Sequence, residues 1–515
     1  MNVPMLLEMA ADGMAERVAV GSGGDGLTYR GLWEQARRVA AVVAGSGAER
    51  LVYVARNDPV LPALLFGGGL AGVPLAPVNY RLADGPLRSM LSRTAPAVAV
   101  VEDNAVGRVA GVDGLTVLTL DALRARIEAA APAEPGVVDP EAIAVLLYTS
   151  GTTGEPKAAV LRHRHLASYV ISAVEFRGAA DDHAALVSVP PYHIAGIVTI
   201  LSSLYAGRRI VYQAQFDAER WVEVARDEGI THAFVVPTML ARILDVLEAR
   251  GEKLPGLLHL AYGGGRMPPP VLERALGLLP GVGFVNAYGL TETASTIAML
   301  RPEDHREAVG SDDPAVRARL GSVGRPLPAL EVEIRDPTGR PVPAGERGEI
   351  YVRGEQVAGE YLARRALTAD GWFPTNDGGR LDEAGFLFVE GRLDDVIVRG
   401  GENLSPGEIE DALLAHPAVR DAGVVGLPDE EWGETVAAAV VLRAGGEATV
   451  AELQDWVRAR LRSSRTPAVI EFRAELPYNE TGKLLRRVLR TELGQEGLGQ
   501  EGLGQEGLGR AGLGQ

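Results

Sequence analysis

The chain has 515 residues, 46 % hydrophobic and 23 % charged, the make-up of a globular protein too large for one core, so two or three domains are expected. Its net charge of −17 argues against a nucleic-acid partner, because phosphate binding relies on basic surfaces that displace counterions. Without a cysteine the chain can form no disulfide, hold no thiolate-bound metal and use no thiol nucleophile.

The N-terminal segment MNVPMLLEMAADGMAER has no basic start and carries Glu8 where a secretion signal would be apolar. Two long stretches, Pro59 to Tyr80 and His183 to Tyr205, are free of charge. Pro62, Pro74 and Pro77 interrupt the first and Pro190-Pro191 the second, so neither reads as a membrane span. A soluble, cytoplasmic protein without integral membrane association is expected. Only Lys157, Lys253 and Lys483 are lysines, and the other 48 basic residues are arginines. On that background a lysine marks a place where a compact ammonium, rather than a planar fork, is needed.

Thr28 to Val43 carries apolar residues at helical spacing, and Leu51–Val54 and Val98–Val101 are short β-like runs. This alternation predicts an α/β fold with a largely parallel sheet. Gly67-Gly68-Gly69-Leu70-Ala71-Gly72 matches a dinucleotide fingerprint in form, yet it follows a helical run and no acidic residue stands about twenty positions on. Close helix packing is the better reading. Ala142 to Tyr148 is an uninterrupted apolar run, as in a strand buried on both faces. Further strand and helix signals fall at 184–189, 194–205 and 232–236. From about Leu330 strands shorten and turns multiply, which predicts a small β-rich subdomain.

A last globular unit begins near Asp394. Ser405-Pro406-Gly407-Glu408 and Thr449–Glu452 both read as capping boxes at helix starts. From Leu493 onward the unit LGQEG repeats, and a Gly/Gln-rich tail of this kind cannot bury a core. The expected boundaries are 1–393, 394–490 and a tail at 491–515.

The apolar run ends in Thr149-Ser150-Gly151-Thr152-Thr153-Gly154-Glu155-Pro156-Lys157. Four hydroxyls, two glycines and a lysine in nine residues compose a phosphate loop, with backbone N–H groups and hydroxyls as donors and Lys157 as a point charge. Its spacing is not that of a Walker motif. The string YTSGTTGEPK resembles the signature of the adenylate-forming superfamily of acyl-CoA synthetases, peptide-synthetase adenylation domains and luciferases. PPYHIAG (190–196), NAYGLTETAS (286–295), the stretch 373–410 and PYNETGKLLRR (477–487) follow in the family's order, so the resemblance spans roughly residues 28 to 490. It implies two stacked α/β units with a small β-rich subdomain, followed by a mobile, smaller α+β domain.

The resemblance also implies roles. ATP or AMP would contact Thr149, Ser150, Gly151, Thr152, Thr153, Gly154 and Lys157, and also Gly264, Gly265, Asn286, Ala287, Tyr288 and Gly289. Tyr288 is similar to the aromatic that stacks on adenine, Thr291 to a donor for the α-phosphate, and Glu292 to the carboxylate that holds Mg²⁺, with Thr149 as a second oxygen. Asp377 matches the ribose-binding aspartate, in a turn the family writes Thr-Gly-Asp and this chain writes Thr375-Asn376-Asp377. Arg392 is similar to the arginine that contacts ribose and phosphate. The acyl group would meet His193, Tyr262, Gly263 and Gly264. Asp394 and Asp395 match a hinge, and Gly400, Gly401 and Glu402 would reach a coenzyme A channel after rotation. Lys483 resembles the lysine that bridges the attacking carboxylate and the α-phosphate.

The implied reaction converts a carboxylic acid and Mg·ATP to acyl-AMP and then, with coenzyme A, to a thioester. The resemblance implies an acid without an α-amine: amino-acid-activating relatives place an aspartate in the segment that is Pro190-Pro191-Tyr192-His193 here, and this stretch has no carboxylate to pair with a substrate ammonium. A stand-alone adenylation enzyme serving another acceptor, an amino-acid-activating domain and a non-catalytic nucleotide-binding member stay open. So does the choice between monomer and homodimer.

Overall fold

The computed structural model describes residues 1–22, 26–150, 156–479 and 482–494. Two large mixed sheets carry the N-terminal part. Among the described residues, the first runs Arg325–Pro326, Ser295–Leu300, Gly283–Leu290, His259–Gly263, His232–Val235, Ala184–Val187, Arg209–Tyr212, Val18–Val20, Leu27–Thr28. Its centre is parallel, from Gly283–Leu290 through Val18–Val20. The second sheet is built on the parallel strands Ile143–Ser150, Leu75–Pro77, Arg50–Val54, Ala97–Val101 and Leu115–Thr119, extended by the antiparallel strand Pro156–Arg162.

Helices Val3–Gly13, Tyr29–Ala44, Leu61–Leu70 and Ile194–Ala206 share one hydrophobic core with both sheets. Helices Ala218–Asp227, Pro237–Arg250 and Pro269–Leu278 cover the outer face of the first sheet. This is the stacked α/β arrangement expected above. Between the two sheets the glycine run does structural work. A Cβ at Gly67 would lie 2.5 Å from the Ala36 carbonyl and 2.6 Å from Val39 Cβ, so helices Tyr29–Ala44 and Leu61–Leu70 can approach only because that position has no side chain. The dinucleotide reading is therefore set aside on structural grounds.

The small antiparallel sheet Glu331–Arg335, Gly348–Arg353, Phe373–Leu381, Leu387–Arg392 follows. A separate sheet then forms from Glu402–Leu404, Ile397–Arg399, Gly433–Leu442, Val419–Asp429 and Val469–Phe472, with helices Pro406–Leu414 and Val450–Arg458 packed on it as an α+β domain. Among the described residues no helix is long and apolar enough to cross a membrane.

Two expectations need correction. Thr449 and Glu452 do exchange the reciprocal bonds of a capping box. Ser405 does not: its hydroxyl donates to the Glu390 carbonyl at 2.7 Å, and Glu408 accepts from Arg465 at 2.8 Å. Tertiary partners outcompete the local cap, and Pro406 at the first helical position starts the helix. The second correction concerns the tail. Residues 486–494 are helical and Leu493 is 1 % exposed, packed with Leu427, Ala437, Leu476 and Leu489. The first leucine of the repeat thus belongs to the C-terminal core, and the remaining repeats, 495–515, lie outside the described residues. Leu493→Ala should cost about 2–5 kcal/mol in a denaturant titration, the penalty for emptying a core leucine site. Truncation after residue 494 should leave the midpoint unchanged.

Candidate active site

The site is built where the C-terminal ends of the parallel strands meet the small sheet and the C-terminal domain. Strand Phe373–Leu381 presents Asp377, which is buried, and pairs it in register with Arg392 of the next strand. Arg392 Nε lies 3.3 Å from Asp377 Oδ1, and the Tyr288 hydroxyl donates to Asp377 Oδ2 at 2.6 Å. Burial pushes the Asp377 carboxyl up, against the opposing pull of Arg392. Arg392 also donates to the Thr375 carbonyl at 2.7 Å, which fixes the turn.

That turn departs from the family's usual residue. Asn376 sits at φ +60°, in the left-handed region that glycine adopts without cost and asparagine tolerates best among the rest. Its backbone N–H donates to Glu349 Oε1 at 2.9 Å, and its side-chain amide donates to Asp394 Oδ2 at 2.7 Å. The substitution therefore keeps the backbone path and adds a tie to the segment that joins the two parts of the protein.

Lys483 enters from the C-terminal domain. Its turn is closed by Gly482 N–H to the Asn479 carbonyl and by Asn479 N–H to the Lys483 carbonyl, both at 2.9 Å. Gly482 has φ +69°, and a Cβ there would lie 2.5 Å from Thr238 Oγ1. The same glycine's carbonyl would stand 3.5 Å from a Cβ at Gly265. The turn is thus pressed against the N-terminal part at Thr238 and Gly265, with the Lys483 amine within electrostatic reach of Asp377, Asp395 and Arg392. Burial, then Arg392, pull the amine below the ordinary lysine value of 10.5.

Glu292 lies in the short 3₁₀ turn Thr291–Thr293 beside Thr291, followed by Ala294 and Ser295, both at positive φ (+51° and +104°). Two successive non-glycine residues held there store strain at this corner. The Tyr361 hydroxyl donates to Glu292 Oε1 at 2.6 Å, and the Tyr361 strand pairs with Ala159 of the strand that carries Lys157. Thr149 pairs with Lys157 across that hairpin, and its hydroxyl donates to the Lys157 carbonyl at 3.3 Å. Gly151, Thr152, Thr153 and Gly154 lie outside the described residues, and Ser150 is described only as the end of its strand.

Beside this corner a cavity of about 470 Å³ runs between helix Ile194–Ala206 and the first sheet. Gly264, Ala287 and Gly289 stand at the end near that corner, with His193 and apolar walls from Val198, Phe234, Val236 and Met299. Burial pulls His193 down to about 4, so the ring is neutral, and among the described residues its Nε2 has no hydrogen-bond partner. Tyr262 is not on this wall. Side chains alternate along His259–Gly263, so Ala261 faces the cavity while Tyr262 enters the core behind it and bonds to His305 Nε2 at 2.9 Å. Gly263 is held against the Ala287 carbonyl, 2.3 Å from where a Cβ would sit.

The remaining positions lie on the segment that follows Arg392. Gly400 and Gly401, at φ +58° and +80°, form the hairpin turn between Ile397–Arg399 and Glu402–Leu404, packed on Trp432 of the same domain. Glu402 is engaged by Arg465 at 2.7 Å. Asp394 and Asp395 lie in a 3₁₀ turn directly after Arg392.

Residues 7–362 match the family model described as AMP-binding enzyme, and residues 408–483 match the AMP-binding enzyme C-terminal domain. The chain belongs to the AMP-binding enzyme family. Among its relatives in that family, a feruloyl-CoA synthase of Amycolatopsis sp is 33 % identical over 92 % of this chain and 96 % of its own length. A 2-succinylbenzoate–CoA ligase of Geobacillus kaustophilus is 35 % identical over 95 % and 98 %. The structure of ATP-bound MatB from Rhodopseudomonas palustris superposes with a TM-score of 0.86 at 26 % identity, covering 96 % of this chain and 100 % of that one.

Sequence reasoning missed Tyr361 as a partner of Glu292, because a lone tyrosine in a two-residue strand carries no signal. It also missed the tie from Asn376 to Asp394, although the odd residue in the Thr-Asn-Asp turn was visible. A lysine amine whose proton is loosened by burial should give ATP–pyrophosphate exchange an alkaline limb below the ordinary lysine range. A pH–rate profile flat to pH 10.5 would contradict the burial of Lys483.

Proposed function

We propose that the protein joins a carboxylic acid without an α-amine to coenzyme A in two half-reactions at this site. The reading is supported above all by Lys483, whose amine lies within electrostatic reach of Asp377, Asp395 and Arg392. In the first half-reaction a substrate carboxylate oxygen attacks the α-phosphorus of ATP. The α–β phosphoanhydride bond breaks and pyrophosphate leaves. Both reactants are anions, so a preorganised cation between them stabilises the transition state more than the separated ground state. Asp377 accepts from the ribose hydroxyls, Arg392 holds Asp377 in place, and Tyr288 supplies the aromatic face for adenine.

The donor set around Glu292 suits Mg²⁺. Tyr361 takes one oxygen of the carboxylate, among the described residues no hydrogen-bond partner takes the other, and the Thr149 hydroxyl donates to a carbonyl and keeps its lone pairs. Among the described residues no cluster of three His or acidic groups could cage a metal, as fits an ion held mainly by phosphate and water oxygens. When bound, the ion would neutralise polyphosphate charge.

In the second half-reaction the thiol sulfur attacks the acyl carbon, the acyl–phosphate bond breaks, and AMP leaves with the electron pair. To withdraw Lys483 and admit the thiol, the C-terminal domain turns about the Asp394–Asp395 segment and brings the Gly400–Gly401 turn round. We place the boundary between fixed and moving parts at 393/394 and favour Asp395 as pivot.

Lys483→Ala should lower acid-dependent pyrophosphate exchange at least about a hundredfold. Thioester formation from supplied acyl-AMP should survive, since that step joins no two anions. An equal loss in both would make Lys483 structural. Proline at 395 fixes φ and restricts residue 394. Asp395→Pro is therefore expected to keep exchange within about tenfold of the parent while thioester formation falls far more, and normal thioester synthesis would refute the rotation.

A further inference from the structure

The cavity beside the nucleotide corner has a far end that the reaction does not use. Its floor lies at the N-terminal ends of the strands, about 13 Å from the mouth at 3.3 Å per residue along His259–Gly263. Arg208, His232 and His259 line that floor, with Ser202 and Ser203 of the overlying helix. His232 and His259 are register partners on adjacent strands, with ring centroids 5.1 Å apart, and His183 stands 5.2 Å from His232.

Arg208 is the unusual member. Its backbone is fixed on both sides, the N–H donating to the Ser203 carbonyl at 2.8 Å and the carbonyl accepting from the buried Tyr29 hydroxyl at 3.1 Å. Among the described residues its Nε is buried with no hydrogen-bond partner and no carboxylate lies within ion-pair distance of its guanidinium. The neighbouring Arg209 shows the contrast, paired with Glu228 at 2.9 Å on the other side of the strand. Burying a cation without a counter-ion is costly, and nearly every other interior arginine of this chain is matched to a carboxylate or a carbonyl. Burial pulls the Arg208 guanidinium down, against an opposing pull from Tyr29. The ring of His232 is held neutral, down at about 2, by burial and by Arg208. The floor therefore brings a guanidinium with no carboxylate partner among the described residues to the end of an apolar shaft, beside the neutral His232 and the more exposed His259.

We infer that Arg208 reads a second acidic group on the far end of the substrate, so that the acid activated here is an elongated apolar or aryl body with an anionic oxygen group opposite the reacting carboxylate. This inference rests on the ligase reading of the same site and adds the class of acid. His193 and the apolar wall take the body, while Arg208 supplies the missing half of an ion pair, and a neutral terminus would leave it unpaired.

The test uses the full-length enzyme, α,ω-dicarboxylic acids of graded length and para-carboxycinnamic acid, each beside its ω-methyl ester. Wild-type kcat/KM in pyrophosphate exchange should favour at least one diacid over its ester about a hundredfold or more, as a site built for a buried polar group rejects its neutral analogue. Arg208→Met should erase that preference by lowering the diacid rate and leaving the ester rate unchanged, with KM for ATP unmoved. Arg208→Lys should restore part of it. Melting-temperature shifts with the same diacids, present in the wild type and absent in Arg208→Met, read the subsite without turnover. A panel in which no diacid outruns its ester, or an Arg208→Met enzyme equally slowed on both, overturns the inference. If esters and monoacids are activated, the ligase reading stands without it; if diacids stabilise only the wild type and no acid supports exchange, the subsite stands and the ligase reading falls.

Discussion

Bringing two negatively charged reactants together needs a positive charge that is in place for one step and gone for the next. That constraint explains why the protein has two parts. In the proposed mechanism the cation is carried on Lys483, in a turn whose glycine fits against Thr238 and Gly265 with no room for a side chain. The groups it meets, Asp377 and Arg392, belong to a sheet of the other part and hold each other in register across adjacent strands. Everything else in the architecture supports one of these two faces. Helices Tyr29–Ala44 and Leu61–Leu70 pack through glycine so that the two large sheets stack closely, and strand ends from both converge on the corner that holds Glu292, Tyr288 and Gly264.

The turn that carries Lys483 owes its stiffness to a small core of its own. Leu476, Leu489 and Leu493 are buried there, with Tyr478 and Leu484 packed against them. Tyr478 also donates to Asp421 at 2.9 Å, which ties the base of the turn to the long central hairpin of the C-terminal domain. A lysine on a floppy loop would lose much of its value, because the field of a cation helps only if it is already aimed when charge develops.

Much of this was legible in the sequence, for physical reasons that differ by region. Strands such as Ile143–Ser150 and helices such as Tyr29–Ala44 announce themselves because burial forces apolar residues into a fixed period. Lys483 stood out because lysine is scarce in an arginine-rich chain. Pairings between distant segments did not show. Tyr361 reaches Glu292 across 69 residues of chain, and Ser405 abandons its local cap for Glu390. Tyr262 was placed at the substrate by its motif, but strand alternation turns it into the core. Arg208 carried no sequence signal at all, since its meaning lies in which side chains are absent around it.

The contacts that seat the C-terminal domain on the rest are mostly polar. Arg266 reaches the Gly407 carbonyl and Asp411, Asn376 binds Asp394, and Ser405 binds Glu390. Such a seam can open and close without exposing a dry apolar face to water, so neither position of the domain is fixed by a large burial energy. Its charged members stand partly in solvent, where dissolved ions screen them within about 8–10 Å. Under the proposed rotation, ionic strength weighs on which domain position is occupied, and the salt content of the medium becomes a control on how the enzyme divides its time between making an adenylate and using it.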